Sequence, residues 1–126
     1  MKLIGIDYGA RDVGIALSDD TGAFAFPVSV LPNDASLVEQ IATTTAQERV
    51  EGIVLGESRN FQGEENKIMG DIHRFKGMLE SKLHLPVFLE PEYLTTAQAA
   101  RHGGDKAMID AAAAAIILQS FIDKKK

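Results

Sequence analysis

Apolar positions along the chain follow two rhythms. From Lys2 to Asp7 they form one short run, which reads as a strand. Asp12–Ser18 then alternates, with Val13, Ile15 and Leu17 on one face and Gly14, Ala16 and Ser18 on the other, the period-2 pattern of a second strand. Asp19-Asp20-Thr21-Gly22 has turn chemistry, and Ala23–Leu31 reads as a third strand. Pro27 inside it favours an edge position or a bulge, because proline cannot donate to the ladder. After Pro32-Asn33-Asp34 the rhythm changes. Ser36-Leu37-Val38-Glu39 has capping-box spacing, and Leu37, Val38, Ile41 and Ala42 share one helical stripe.

The second half alternates between the two periods. Glu51–Glu57 carries the buried-strand run Ile53-Val54-Leu55, and Ser58–Glu65 is a polar loop holding Gly63. Ile68, Met69, Ile72, Phe75 and Leu79 keep helical spacing from Asn66 to about Lys82, and Leu85–Leu89 is a fifth strand. A helix from Thr95 and a last one from about Met108 to Asp123 follow. The order β-β-β-α-β-α-β-α-α predicts a mixed five-stranded α/β sheet, three antiparallel strands and then parallel ones, with helices on both faces. There is no repeat, low-complexity linker or composition break, so residues 1–126 are expected to form a single domain.

Composition narrows the chemistry. The absence of cysteine excludes disulfides and thiolate metal sites, and three scattered histidines do not suit structural zinc. The apolar run from Ala111 to Leu118 falls far short of the roughly 20 residues of a membrane span. Asp7 interrupts the N-terminal apolar stretch too early for a signal peptide. A cytoplasmic protein with no membrane partner is the expectation. Thirteen Lys and Arg against eighteen Asp and Glu give −5 and argue, at first sight, against a polyanionic partner.

Where the acids fall changes that picture. In open α/β sheets ligands gather at the carboxyl ends of the parallel strands. Asp7 ends the first strand, Glu57 ends the fourth, Glu92 follows the fifth by about three residues, and Asp110 stands at the start of the last helix. Clustered carboxylates repel one another unless a cation compensates. Oxygen-only ligands select Mg²⁺ or Mn²⁺, and two such ions are the usual apparatus for in-line displacement at phosphorus. Setting these four residues aside leaves 14 acids against 13 bases, so much of the negative charge belongs to the metal site itself.

Each acid also has a plainer reading. Asp7 could be a turn residue, Glu57 and Glu92 solvated acids at loop mouths, and Asp110 a cap meeting the helix dipole. Only their shared edge raises them above this background. Arg11, Arg59 and Lys67 lie on loops at the same edge and could hold phosphates, or be ordinary solvated surface. Tyr93 could stack on a splayed base, and Lys124-Lys125-Lys126 reads as a frayed, solubilising tail.

The ordered motifs resemble the YqgF/RuvX family over essentially the whole chain. They are Ile4-Gly5-Ile6-Asp7-Tyr8-Gly9, Val13-Gly14-Ile15-Ala16-Leu17-Ser18-Asp19, Leu85-Pro86-Val87-Phe88, Glu92 with Leu94-Thr95-Thr96, and Ile109-Asp110-Ala111-Ala112-Ala113 leading to Gln119. The resemblance implies an RNase H-like fold and a divalent-metal nuclease. The family is described as a Holliday junction resolvase and as the nuclease maturing the 5′ end of small-subunit ribosomal RNA. It carries Asp7 over as the first catalytic acid, Glu92 as the second and Asp110 as the third.

This chain departs from the family pattern at three places. Pro91-Glu92-Tyr93 replaces Asp-Glu-Arg, and the basic run before the last helix is shortened to Arg101-His102-Gly103-Gly104-Asp105-Lys106. Gly56-Glu57-Ser58 replaces Gly-x-Pro, and its acid resembles the related RuvC resolvases, whose second catalytic carboxylate ends that strand. Asp7, Glu57 and Asp110 are therefore the expected metal core, with Glu92 as a fourth ligand or a replacement for Glu57. The expected substrate is RNA or branched DNA, cut by a monomer or a homodimer. The altered segments also admit a catalytically weakened nucleic-acid-binding or ribosome-assembly factor on the same fold. An Asp-x-Gly opening is shared with actin-type and sugar-kinase phosphate loops too, but those enclose ATP between two such domains.

Overall fold

The computed structural model describes residues 1–58, 69–92 and 106–125. Its strands are β1 (Leu3–Asp7), β2 (Asp12–Ser18), β3 (Ala25–Pro32), β4 (Gly52–Ser58) and β5 (Val87–Glu92). Three helices lie among the described residues: α1 (Leu37–Gln47), α2 (Met69–Leu83) and α3 (Lys106–Lys125). The sheet order is β3-β2-β1-β4-β5. β1–β2 and β2–β3 pair antiparallel, while β1–β4 and β4–β5 pair parallel. The expected mixed sheet is thus present. The helix expected from Thr95 lies outside the described residues.

Strand alternation sorts the core into two layers. Ile4, Ile6, Val13, Ile15, Leu17, Ile53 and Leu55 face α1 and α2, where they meet Leu37, Ile41, Ile72, Phe75 and Leu79. The opposite face carries Leu3, Ala16 and Val54 against Ala114, Ile117, Leu118 and Ile122 of α3. Small residues dominate under α3, so the helix lies close to the sheet. A Cβ at Gly5 would stand 2.7 Å from Leu118 Cβ and 2.9 Å from the Ala114 carbonyl.

Two local features follow from single residues. Pro27 lies on the edge strand β3, where the register with β2 slips between Ile15 and Ala16. A bulge there skips Val28 and spares the ladder a missing donor. The capping box does not form. Ser36 occupies the N-cap position, but its hydroxyl donates to Asp34 Oδ1 at 2.5 Å and its amide does so at 2.8 Å. The Ser36 oxygen instead accepts from Gln40 Nε2 at 2.8 Å, in place of a first-turn amide, and the two bonds from Ser36 hold the Asp34 carboxyl below its ordinary range.

Lys124 and Lys125 are not a loose tail, while Lys126 lies outside the described residues. Lys124 Nζ reaches Glu90 at 2.7 Å, and Lys125 Nζ lies 5.3 Å from the centre of the Phe121 ring, which packs on Phe88. Among the described residues, no helix is long and apolar enough to cross a membrane.

Candidate active site

Asp7, the last residue of β1, stands directly opposite Gly14 of β2 in the antiparallel register. Such partners share a face, with Cβ positions roughly 4.5–5.5 Å apart. That face belongs to α3, because a Cβ added at Gly14 would collide with the Asp110 carbonyl. The absence of a side chain at Gly14 therefore lets the first turns of α3 descend beside Asp7. Gly14 thus has Asp7 as its strand partner and the Asp110 backbone above it, at the edge of the sheet where the parallel strands end. Asp110 is the fifth residue of α3 rather than its start, so it does not cap the helix. The buried Ala111, Ala112, Ala113 and Ala114 follow it and keep the helix low on the sheet.

The two glutamates separate by parity. Ile53 and Leu55 face α1 and α2, and Glu57 continues their alternation. It is buried, with 8% of its surface exposed, at a register position on the face opposite Asp7 and Asp110. β5 has the other phase. Phe88 packs on Phe121 of α3, and Glu90 accepts a 2.7 Å hydrogen bond from Ser120 of α3. Position 92 continues that series and pairs with Ser58. Glu92 therefore occupies the Asp7 face of the sheet at the same edge. It is the last residue of β5, rather than lying three residues beyond the strand. Pro91 does not stop the strand early because β5 is an edge strand.

Asn33 holds the loop after Asp7. Its Nδ2 donates to the Gly9 carbonyl at 2.8 Å and its amide to the Arg11 carbonyl at 2.9 Å. Arg11 is exposed on this loop. In the sequence Asn33 reads only as a turn residue; its place just after the strand that pairs with β2 is the signal of this role. Gln119 is a second such residue. Its Oε1 accepts the Ala25 amide at 2.8 Å and its Nε2 donates to the Ala23 carbonyl at 3.2 Å, tying α3 to the start of β3. Arg59, Lys67, Tyr93 and the run from Arg101 to Asp105 lie outside the described residues.

The donor set brought to this edge consists of carboxylate oxygens. That is the chemistry Mg²⁺ and Mn²⁺ take, and Asp7 with Asp110 forms its described pair. No three ligating side chains converge among the described residues. A third carboxylate would come from position 92, whose backbone is at the right edge and face.

Comparison with known proteins identifies the fold and the family. Two solved structures share the fold at low identity, and both are RNase H-fold resolvases. Thermus thermophilus RuvC in complex with a Holliday junction aligns with a TM-score of 0.63 at 15% identity, covering 99% of this chain and 95% of that one. The fowlpox virus resolvase with Holliday junction DNA aligns with a TM-score of 0.62 at 13% identity, covering 99% of each chain. Curated relatives are more similar in sequence. A protein of Limosilactobacillus fermentum named "Putative pre-16S rRNA nuclease" is 32% identical over 98% of this chain and 94% of its own length. One of Oleidesulfovibrio alaskensis with the same name is 34% identical over 98% and 92%. A family profile described as "RuvX: Holliday junction resolvase" matches residues 1–124, and the chain belongs to this family of RNase H-like nucleases.

Proposed function

We propose that the chain is a divalent-metal-dependent endonuclease that trims the 5′ end of the small-subunit ribosomal RNA precursor. The observation that carries this reading is that Gly14 has Asp7 as its strand partner and the Asp110 backbone packed against it, at the carboxyl edge of β1. The RNA substrate is favoured because relatives at 32% and 34% identity over nearly the whole chain carry that name.

Asp7 and Asp110 would hold Mg²⁺ or Mn²⁺, two ions in all, with Glu92 completing the set from β5. When bound, such ions activate the attacking water and stabilise the leaving oxygen. The chain supplies the positioning. β1 and α3 fix the two carboxylates on rigid elements, and the Asn33 bonds fix the loop from which Arg11 offers its guanidinium to a phosphate. Arg59 and Lys67 are proposed as further phosphate contacts. Glu57, on the other face, is assigned no ligand role here.

The test is cleavage of a precursor 16S 5′-end RNA and of a four-way DNA junction, each with Mg²⁺ and with Mn²⁺. Cleavage of the RNA, lost in Asp7→Asn with an unchanged circular dichroism spectrum, is the expected result. Cleavage of the junction alone would move the substrate to branched DNA. No cleavage of either, with binding that persists in chelator, would identify an assembly factor on this fold.

A further inference from the structure

Tyr8 follows Asp7 directly, and strand alternation turns it to the opposite face, toward α2. Its ring packs on Phe75 with centroids 4.8 Å apart at 41°, and Phe75 is itself buried in the core. Beside this pair, between the end of β1, the start of α1 and the first turns of α2, lies a cavity of about 220 Å³. Tyr8, Phe75, Asn33, Asp34, Asp71 and Arg74 bound it. Among the described residues, the Tyr8 hydroxyl takes no hydrogen-bond partner.

We propose that this cavity receives a single unstacked nucleobase of the substrate, from a nucleotide next to the phosphate addressed by Asp7 and Asp110. The proposal rests on the nuclease reading above. The size suits one planar ring system, since pockets for drug-sized ligands are larger, roughly 300–1,000 Å³. The rim charges exclude a phosphate. Asp34 is kept ionised by its two bonds from Ser36, and Arg74, the one cation lining the cavity among the described residues, is already paired with Asp71. Carboxylates at the mouth of an aromatic pocket suit the amino edge of a base instead, as acceptors. Tyr8 supplies a ring held in place by a buried neighbour, and a hydroxyl able to bond a base edge. Continuity with the active edge decides the occupant. A strand laid across the end of β1 has its phosphate on the Asp7 side and its neighbouring base on the Tyr8 side.

The experiment walks an abasic site through the nucleotides flanking the cut in a fluorescein-labelled precursor 16S RNA and a four-way DNA junction. Affinity is read by anisotropy with Ca²⁺ in place of Mg²⁺, and cleavage is read separately with Mg²⁺. One flanking position is expected to lose roughly 5- to 150-fold in affinity on base removal, the range of a single base–aromatic stack. Tyr8→Leu should remove that sensitivity at that position alone, while Tyr8→Phe retains most of it. Ala35→Phe, at an exposed position lining the cavity, should remove it without touching the core. Binding with no position-specific coupling to Tyr8 or Ala35 would overturn the pocket and leave the nuclease reading standing. Absence of both binding and cleavage for both substrates would overturn the two together.

Discussion

Gly14 has no space for a side chain because the carbonyl of Asp110 occupies it. This contact sets the height of α3 above the sheet at the point where Asp7 ends β1. Gly14→Ala must therefore push the first turns of α3 away from Asp7. Overpacking of this kind costs about 1–3 kcal/mol. Gly5→Ala is the control, since its Cβ would press on Ala114 and Leu118 further along the same helix. Both variants should lower stability in urea denaturation, by similar amounts. Only Gly14→Ala should lower kcat/KM beyond what its unfolded fraction explains. Equal activity in the two variants would mean that helix height at Asp110 does not set the site.

The turn that starts β3 contributes a pH dependence of known sign. Asp19 accepts hydrogen bonds from the Thr21 hydroxyl at 2.7 Å and from the Ala23 and Phe24 amides at 2.8 and 3.1 Å. The Thr21 bond first, then the two amides, lower its pKa from 3.8 to about 2. Because the folded value lies below the unfolded one, the stabilisation is complete above pH 3.8 and is lost as the pH falls toward 2. The stability difference between wild type and Asp19→Asn should hence be constant near neutrality and shrink between pH 4 and pH 2. A difference unchanged across that window would show that the turn does not depend on the charge. The turn also presents Ala23 and Ala25 to Gln119, so acid should loosen α3 from β3.

Much of this arrangement is legible in the sequence, and the exceptions have physical causes. The alternation of Val13, Ile15 and Leu17 already separates the two faces of β2, and Pro27 already points to an edge strand with a bulge. Asp110 reads as a helix start because the apolar stripe begins near it, yet Lys106 and Ala107 are good helix formers and carry the helix a turn further back. The apolar run Leu85–Leu89 ends short of the strand, which continues to Glu92, because on an edge strand the missing donor of Pro91 costs no ladder bond. The separation of Glu57 from Asp7 is present in the sequence as parity with Ile53 and Leu55. Edge position alone groups the two acids, and alternation divides them. The Lys124–Glu90 pair is invisible to local pattern because its partners are 34 positions apart.

That parity makes a direct comparison of the two glutamates informative. Glu92 shares the Asp7 face, whereas Glu57 lies on the other. Glu92→Gln should reduce the metal-dependent cleavage rate by at least the roughly 100-fold that removing one electrostatic stabiliser costs. Glu57→Gln should leave the rate within a few fold and act, if at all, on stability, because its carboxylate is buried. Rates measured across a Mg²⁺ titration separate the two effects. Loss of activity in Glu57→Gln with a higher metal requirement would return Glu57 to the metal core.

Metal binding is also measurable without any substrate. A ligand that binds only the native state stabilises it by RT ln(1 + [L]/Kd), about 2.7 kcal/mol at roughly a 100-fold excess over Kd. For a chain of 126 residues this corresponds to a rise in Tm of several degrees. Mg²⁺ or Mn²⁺ should therefore raise the Tm of the wild type in a concentration-dependent way, and EDTA should reverse the rise. Asp7→Asn and Asp110→Asn each remove one of the two described carboxylates at the site, so each should abolish most of the metal-dependent increment. The readout is the increment and not the absolute Tm, which makes it independent of any change in folding caused by the substitution itself. Combining the two substitutions should add little to either, since residues that hold one ion act as a unit. Additive losses would instead place the two carboxylates at separate sites, and an increment that survives in both variants would move the ion away from the end of β1.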